Sequence, residues 1–87
     1  MNMERWNFLE RVQGIPHKVI YIENYRYEKD IDGIEYHSIQ INVEDVDSET
    51  IEASYILQSD NLETLKFEIE EIKNEFSEGD EVIEIRS

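Results

Sequence analysis

The fold is decided by residues 18–43, which read KVIYIENYRYEKDIDGIEYHSIQINV. Both ends of this stretch are rich in β-branched and aromatic residues, which suit a pleated strand better than a helix. Between them lies Asp30-Ile31-Asp32-Gly33, and an Asp-Gly pair flanked by such runs is a strong short-range signal for a β-hairpin. We therefore predict two neighbouring antiparallel strands, over 18–27 and 34–43.

Hydrophobic spacing predicts the elements on either side of this hairpin. Trp6, Leu9 and Val12 recur every three residues, which indicates a short amphipathic helix over 3–12. Residues 50–58 alternate apolar and polar side chains, as expected of a third strand that continues the hairpin as a meander.

The clearest helix covers 61–76, where apolar residues are three or four apart: Leu62, Leu65, Ile69, Ile72 and Phe76. We expect Asp60 to cap its first turn, with Glu63 completing a capping box, and Gly79 to end it. The apolar residues in 82–85 predict a short last strand. The order α-β-β-β-α-β predicts one α+β domain over 1–87, with a mainly antiparallel sheet and both helices packed on one face.

Composition limits what this domain can be. A chain of 87 residues can build one core, and without cysteine it has neither disulfides nor thiolate metal sites to support it. Charged residues interrupt every apolar run before it reaches the length of a membrane span, and residues 1–5 lack the basic-then-apolar order of a signal peptide. We expect a cytoplasmic protein that does not bind membranes.

The charge is strongly negative and unevenly distributed. The chain has 8 basic and 22 acidic residues, a net charge of −14; residues 1–44 carry 5 basic and 8 acidic side chains, and residues 45–87 carry 3 and 14. Such a field repels nucleic acid and anionic lipid and attracts basic partners. The alternative is that acidity only keeps a small protein soluble and monomeric.

Enzymatic chemistry has little support in the sequence. It contains no P-loop, no dinucleotide-binding glycine pattern and no nucleophile elbow, and its two histidines, His17 and His37, do not have metal-ligand spacing. Residues 28–33 resemble the start of an EF-hand loop, but Ile39 occupies the position of the essential bidentate Glu. The acidic loop 44–49 is more consistent with a solvated turn than with a cation site. We predict no catalytic residue, no metal and no cofactor.

Two surfaces are candidates for binding a partner. If the hairpin pairs regularly, one face of the sheet carries Tyr21, Tyr25, Tyr27 and Tyr36 among polar residues, and the other carries the aliphatic core. Tyrosine is common at interfaces. The alternative is that these tyrosines simply suit an exposed strand, or that the helix with Trp6 covers them.

The second candidate is the outer side of the 61–76 helix. A helical wheel places Phe67 almost opposite the apolar stripe, among Glu63, Glu70 and Glu71, with Glu75 further along. An exposed aromatic residue ringed by carboxylates is a suitable anchor for a basic, partly apolar surface. Burial of Phe67 by the last strand or by a second copy of the chain is the alternative.

These features lead to two hypotheses for function. A domain of this size has a radius of gyration of about 12 Å and a diameter near 30 Å, and duplex DNA of that length carries about 18 phosphate charges. In size and charge the chain is similar to phage-encoded anti-CRISPR and anti-restriction proteins and to acidic nuclease-immunity proteins. That resemblance implies an inhibitor that occupies the basic nucleic-acid-binding surface of a partner protein, such as a nuclease, without binding nucleic acid itself. The alternative is a phage or bacterial accessory or assembly module, including a homodimer.

Overall fold

The computed structural model describes residues 3–77 and 82–86. Its elements are α1 (Met3–Gln13), β1 (Lys18–Lys29), β2 (Glu35–Asp45), β3 (Thr50–Ser59), α2 (Leu62–Ser77) and β4 (Val82–Arg86). The predicted element order and the α+β class are confirmed. Gly79, which we expected to end α2, lies outside the described residues.

The strands form one mixed sheet in the order β3-β2-β1-β4. Both β1–β2 and β2–β3 are antiparallel, as predicted, whereas β4 pairs with β1 in parallel. In the β1–β2 turn the Gly33 amide donates to the Asp30 carbonyl at 3.0 Å, and Gly33 has φ of +80°. This conformation is the one that glycine adopts without strain, which is why the Asp-Gly pair was a reliable signal.

The core lies between the sheet and the two helices, which pack on one face as predicted. The largest fully buried side chains are Ile20, Ile41, Val43, Leu65 and Ile72. Phe8 of α1 stacks on Tyr55 of β3 at 5.4 Å between ring centroids and meets Phe76 of α2 edge-on at 6.2 Å. These three rings connect both helices to the sheet.

Two local predictions about the helices were wrong. Trp6 is 58% exposed, and Phe8 and Val12 are the α1 residues buried in the core. Because a helix has 3.6 residues per turn, residues spaced by three, such as Trp6, Leu9 and Val12, move gradually around it. The four-residue step from Phe8 to Val12 stays closer to the side that faces the core. The cap of α2 is Asn61 and not Asp60, because the Asn61 side-chain oxygen accepts from the amides of Glu63 and Thr64 at 2.8 and 3.2 Å.

The molecule is elongated, measuring 43 × 23 × 22 Å. Its radius of gyration is 13.7 Å, against about 12 Å from size scaling. The β1–β2 hairpin contributes to this: among the described residues β4 pairs with Lys18–Tyr21 of β1 and β3 pairs with β2 as far as His37, while β1 continues to Lys29. The distal part of the hairpin therefore projects beyond the rest of the sheet.

Candidate partner-binding site

The outer side of α2 is exposed as the sequence predicted. Phe67 is 64% exposed, whereas Leu65 is 1% exposed and Ile72 is fully buried. The side chains of Glu63 and Glu70 are mostly exposed, and those of Glu71 and Glu75 about half exposed. We call these residues the α2 acidic surface: Glu63, Phe67, Glu70, Glu71 and Glu75.

Cations pair with all four of these carboxylates. Arg5 of α1 lies 3.7 Å from Glu71 and 3.3 Å from Glu75, so it joins the two helices. Within α2, Lys66 lies 3.8 Å from Glu63 and Lys73 lies 3.6 Å from Glu70. Exposed pairs of this kind are weak and are screened by salt, so a partner's arginines can compete for these carboxylates. Sequence reasoning missed Arg5, because nothing local connects residues 70 positions apart.

The face of the sheet opposite the helices, the open face, carries Tyr21 and Tyr36. The Tyr21 hydroxyl donates to Glu44 at 3.1 Å, and the Tyr36 hydroxyl donates to Glu28 at 2.6 Å. In each case the hydrogen bond to a carboxylate holds the tyrosine pKa above its ordinary value. Two of the four tyrosines therefore lie where the sequence placed them, and no helix covers them.

Tyr25 and Tyr27 do not share that face, which corrects the prediction. The β1–β2 register shifts between Glu23 and Arg26, so β1 has one more residue there than β2. This β-bulge begins at Asn24, which has φ of 60°, and an extra residue reverses which face the following side chains occupy. Arg26 now pairs with Ser38 on the open face, and Tyr27 pairs with His37 on the helix side.

The displaced tyrosines form an aromatic cluster with His37. The Tyr25 ring stacks on the His37 ring at 5.9 Å, and the Tyr25 hydroxyl lies 2.6 Å from His37 Nδ1. The Tyr27 ring lies 5.1 Å from that of His37. A hydrogen bond to Glu35 raises the pKa of Tyr27, and the same bond lowers the pKa of Glu35. Tyr25 and Tyr27 are each about half exposed, so the cluster is accessible.

The predicted binding residues thus fall on two sides of the molecule. Tyr21 and Tyr36 lie on the open face, and the α2 acidic surface lies on the opposite side. His37 pairs with Ser59, three residues before α2 begins, so the aromatic cluster is on the same side as α2 and level with its start. Tyr25, Tyr27 and α2 therefore lie on one side of the sheet, and Tyr21 and Tyr36 lie on the other.

The acidic turns are structured by their own hydrogen bonds. One Asp30 side-chain oxygen accepts from the amides of Asp32 and Ile34, both at 2.9 Å, and the Asp45 side chain accepts from Asp47 at 3.0 Å. His17 Nδ1 lies 2.9 Å from the Asp47 carboxylate. Among residues 3–77 and 82–86 no three His, Asp or Glu side chains are grouped as metal ligands.

Polar side chains in the middle of the open face are hydrogen-bonded to one another. Asn42, nearly buried, donates to Glu23 at 2.7 Å and accepts from Ser54 at 2.7 Å. On the same face of β3, Ile56 is 57% exposed.

Within the described part of the chain neither helix is long and apolar enough to cross a membrane. No protein-family model, curated protein or solved structure matches the chain.

Proposed function

We propose that this protein is a non-enzymatic inhibitor or immunity-type protein that uses its acidic surface to occupy the basic nucleic-acid-binding surface of a partner protein. The observation that carries the proposal is how the charges are distributed between interior and surface. The only charged residue buried among those described is a cation, Lys18, whose ammonium group donates to the carbonyls of Val12 and Ile15 at 2.8 and 3.1 Å. None of the described carboxylate residues is buried.

This distribution places the negative charges at the surface, where a partner meets them, while the net charge that sets the long-range field stays at −14. Lys18 satisfies carbonyls at the end of α1, and Arg5, with its side chain 25% exposed, holds the helices together. Both cations therefore contribute to the fold, and a partner must displace Arg5, Lys66 and Lys73 from weak pairs to reach the α2 carboxylates. A field of one sign steers an oppositely charged partner and raises its association rate.

The size of the molecule indicates which nucleic-acid surface it could replace. Over its 43 Å length, duplex DNA carries about 25 charges and one of its strands about 13. The net charge of −14 is close to the single-strand value. The proposal therefore favours a partner groove that contacts the phosphates of one strand over one that encloses a whole duplex.

Phe67 supplies the apolar part of the contact. It is 64% exposed on the α2 acidic surface, with Glu63 and Glu70 one turn away on either side. A large aromatic ring that becomes buried on binding, surrounded by polar contacts, is typical of an interface hot spot. Charge provides attraction at long range, and Phe67 then provides stability at short range.

A second candidate function is an accessory or assembly module, and the projecting hairpin favours it. Ile31 at the tip is fully exposed, Ile34 is 58% exposed, and the Tyr25–Tyr27–His37 cluster lies at the base of the projection, where His37 still pairs with Ser59 of β3. A projecting apolar and aromatic tip is suited to insertion between other subunits. In that case acidity would serve solubility alone.

A pull-down from lysate of the source cells separates the two candidates. The immobilised protein is washed at low salt, and the captured proteins are eluted either with an oligonucleotide or with high salt. An inhibitor of the proposed kind releases a nucleic-acid-binding protein in both elutions, because the oligonucleotide competes for the same basic surface. Captured proteins that resist both elutions would support the assembly module instead.

The matched control uses charge changes at two places. Glu63, Glu70, Glu71 and Glu75 are changed to Gln in one variant. In the other, four exposed acidic residues outside α2 are changed to the corresponding amides: Glu10, Asp32, Glu49 and Asp60. Both variants lose four negative charges. We expect the first to capture much less of the oligonucleotide-eluted protein than the second, because only the first alters the α2 acidic surface.

A further inference from the structure

The outer edge of β3 has a groove running beside it. β3 is the first strand of the sheet order, so within the described ranges no strand pairs with its outer side. A cavity of about 480 Å³ lies there, between α1 and β3. Residues from both faces of β3, among them Tyr55 and Ile56, line it. Gln40 of β2, which pairs with Ile56, lines it too, so the cavity runs from α1 around the outer edge of β3 onto the open face.

A second cavity of about 530 Å³ extends the groove towards the β2–β3 turn. Arg11 lines both cavities. Glu52, which lines the second one, is an extra residue in β3: Val43 pairs with Ala53 and Glu44 pairs with Ile51. This bulge turns the Glu52 carboxylate towards α1. From Ala53 to Ser59, β3 pairs with β2 in regular register, so its outer edge is regular as well.

The length of the groove, the residues that line it and their charges together indicate which kind of ligand fits it. The stretch of β3 that lines the groove, residues 52–56, spans about 17 Å at the rise of a β-strand, the length of about five extended residues. Phe8 and Tyr55 give the groove an apolar side. Its ionisable lining consists of three carboxylates, Glu4, Asp45 and Glu52, and one cation, Arg11.

We propose that this groove binds an extended, basic segment of a partner protein, which adds to the sheet as a strand beside β3. Backbone hydrogen bonds to the β3 edge would supply affinity. Alternate side chains would supply specificity. Basic ones on the α1 side would lay their alkyl stems on Phe8 and Tyr55 and place their charges near Glu4 and Glu52, and apolar ones on the other side would face Ile56. A second copy of this chain fits the groove less well, because two molecules of charge −14 repel each other. The α2 acidic surface does not line the groove, so this proposal does not rest on the proposed function.

The probe is the peptide acetyl-Lys-Val-Lys-Val-Lys-Val-Lys-amide, whose valines and lysines face opposite sides when it is extended. One control peptide has Glu in place of each Lys, and another is N-methylated at every residue, which removes the backbone donors on both edges of the peptide and leaves the charge unchanged. We expect the first peptide alone to shift amide resonances of β3 and to slow hydrogen exchange of β3 amides.

Two protein variants locate the site. Asn7→Trp fills the groove from α1, because Asn7 is exposed and lines the cavity. Gln13→Trp places the same side chain at an exposed α1 position that does not line either cavity. Asn7→Trp should weaken peptide binding by about tenfold or more, the loss expected when a central contact is blocked, and Gln13→Trp should leave it unchanged.

Three outcomes would overturn the proposal. Equal binding of the N-methylated peptide would show that charge alone holds the probe. Resonance shifts on α2, with β3 unaffected, would place the site elsewhere. Protection of β3 amides that grows with protein concentration, in the absence of peptide, would make a second copy the occupant.

Discussion

Arg5 and Glu75 lie 70 residues apart in the chain, and the Arg5 guanidinium donates to the Glu75 carboxylate at 3.3 Å. Glu71 lies 3.7 Å from the same nitrogen. The pair joins the first helix to the end of the second, on the side of α2 that we assign to partner binding. Two of the four carboxylates proposed for recognition, Glu71 and Glu75, therefore also contribute to the fold.

We predict that the Arg5–Glu75 interaction is weak. A double-mutant cycle with Arg5→Gln and Glu75→Gln should give a coupling free energy of about 0.2 to 1 kcal/mol, as for other partly exposed pairs. The coupling should shrink in 1 M salt, where charges are screened over about 3 Å. Chemical denaturation of the four proteins at two salt concentrations measures it. A coupling that does not change with salt would indicate packing and not charge.

The turn at Gly33 gives a second prediction. A Cβ at Gly33 would meet no heavy atom within 4 Å, so steric contact with neighbours does not oppose a larger residue there. The backbone does, because φ is +80°. Gly33→Val should cost about 1 to 3 kcal/mol of unfolding free energy. Gly33→Asn should cost less, since Asn tolerates this region. Equal losses for Val and Asn in thermal melts would rule out backbone strain as the cause.

Sequence patterns predicted the elements well because they depend on local chemistry. The hairpin follows from Asp32-Gly33 and two β-rich runs, and α2 follows from a stripe that repeats every three or four residues. The parallel pairing of β4 with β1 had no such signal, because it depends on how α2 crosses the sheet. In β1 and β2 aliphatic residues alternate with polar ones, and this pattern predicted which side of the sheet the helices cover.

The candidate site was predicted less well, and the β-bulge at Asn24 explains why. One extra residue in β1 moved Tyr25 and Tyr27 to the helix side, although Tyr21 before the bulge is where the pattern placed it. Asn tolerates positive φ more often than most residues, so Asn24 was a weak local hint. The groove beside β3 could not be predicted, since it depends on how α1 lies against the sheet.

Tyrosine ionisation should reveal the hydrogen bonds on the hairpin. The pKa values of Tyr21, Tyr27 and Tyr36 are raised, in each case mainly by a hydrogen bond to a carboxylate. Folding thus favours the neutral phenols. This stabilisation is complete below the ordinary pKa of 10.0 and is lost as the pH rises through the higher folded values.

An ultraviolet absorbance titration of the folded protein measures this effect. We expect part of the tyrosinate signal to appear at a higher pH than in the urea-unfolded chain, and the part due to Tyr36 to disappear in Tyr36→Phe. Stability to urea should fall as the pH rises above about 10, the ordinary tyrosine value. Coincident titrations of the folded and unfolded chains would contradict the hydrogen bonds to Glu44, Glu35 and Glu28.

A pair of truncations on α2 separates its role in stability from its role in binding. Leu65 is 1% exposed, and Leu65→Ala should cost about 2 to 5 kcal/mol of unfolding free energy. Phe67 is 64% exposed, and Phe67→Ala should change it by no more than about 0.5 kcal/mol. In partner binding, Phe67→Ala should cost about 1 kcal/mol or more. A large stability loss for Phe67→Ala would show that this side of α2 is covered.

The association rate with the partner recovered by oligonucleotide elution tests the central claim most directly. The rate is measured by stopped flow at several ionic strengths for the wild-type protein, the variant with Gln at 63, 70, 71 and 75, and the control variant with amides at 10, 32, 49 and 60, which also loses four charges. If the α2 acidic surface guides binding, the first variant associates more slowly than the control, by about tenfold at low salt, and its rate depends less on salt. Equal rates for the two variants at every ionic strength would contradict the account.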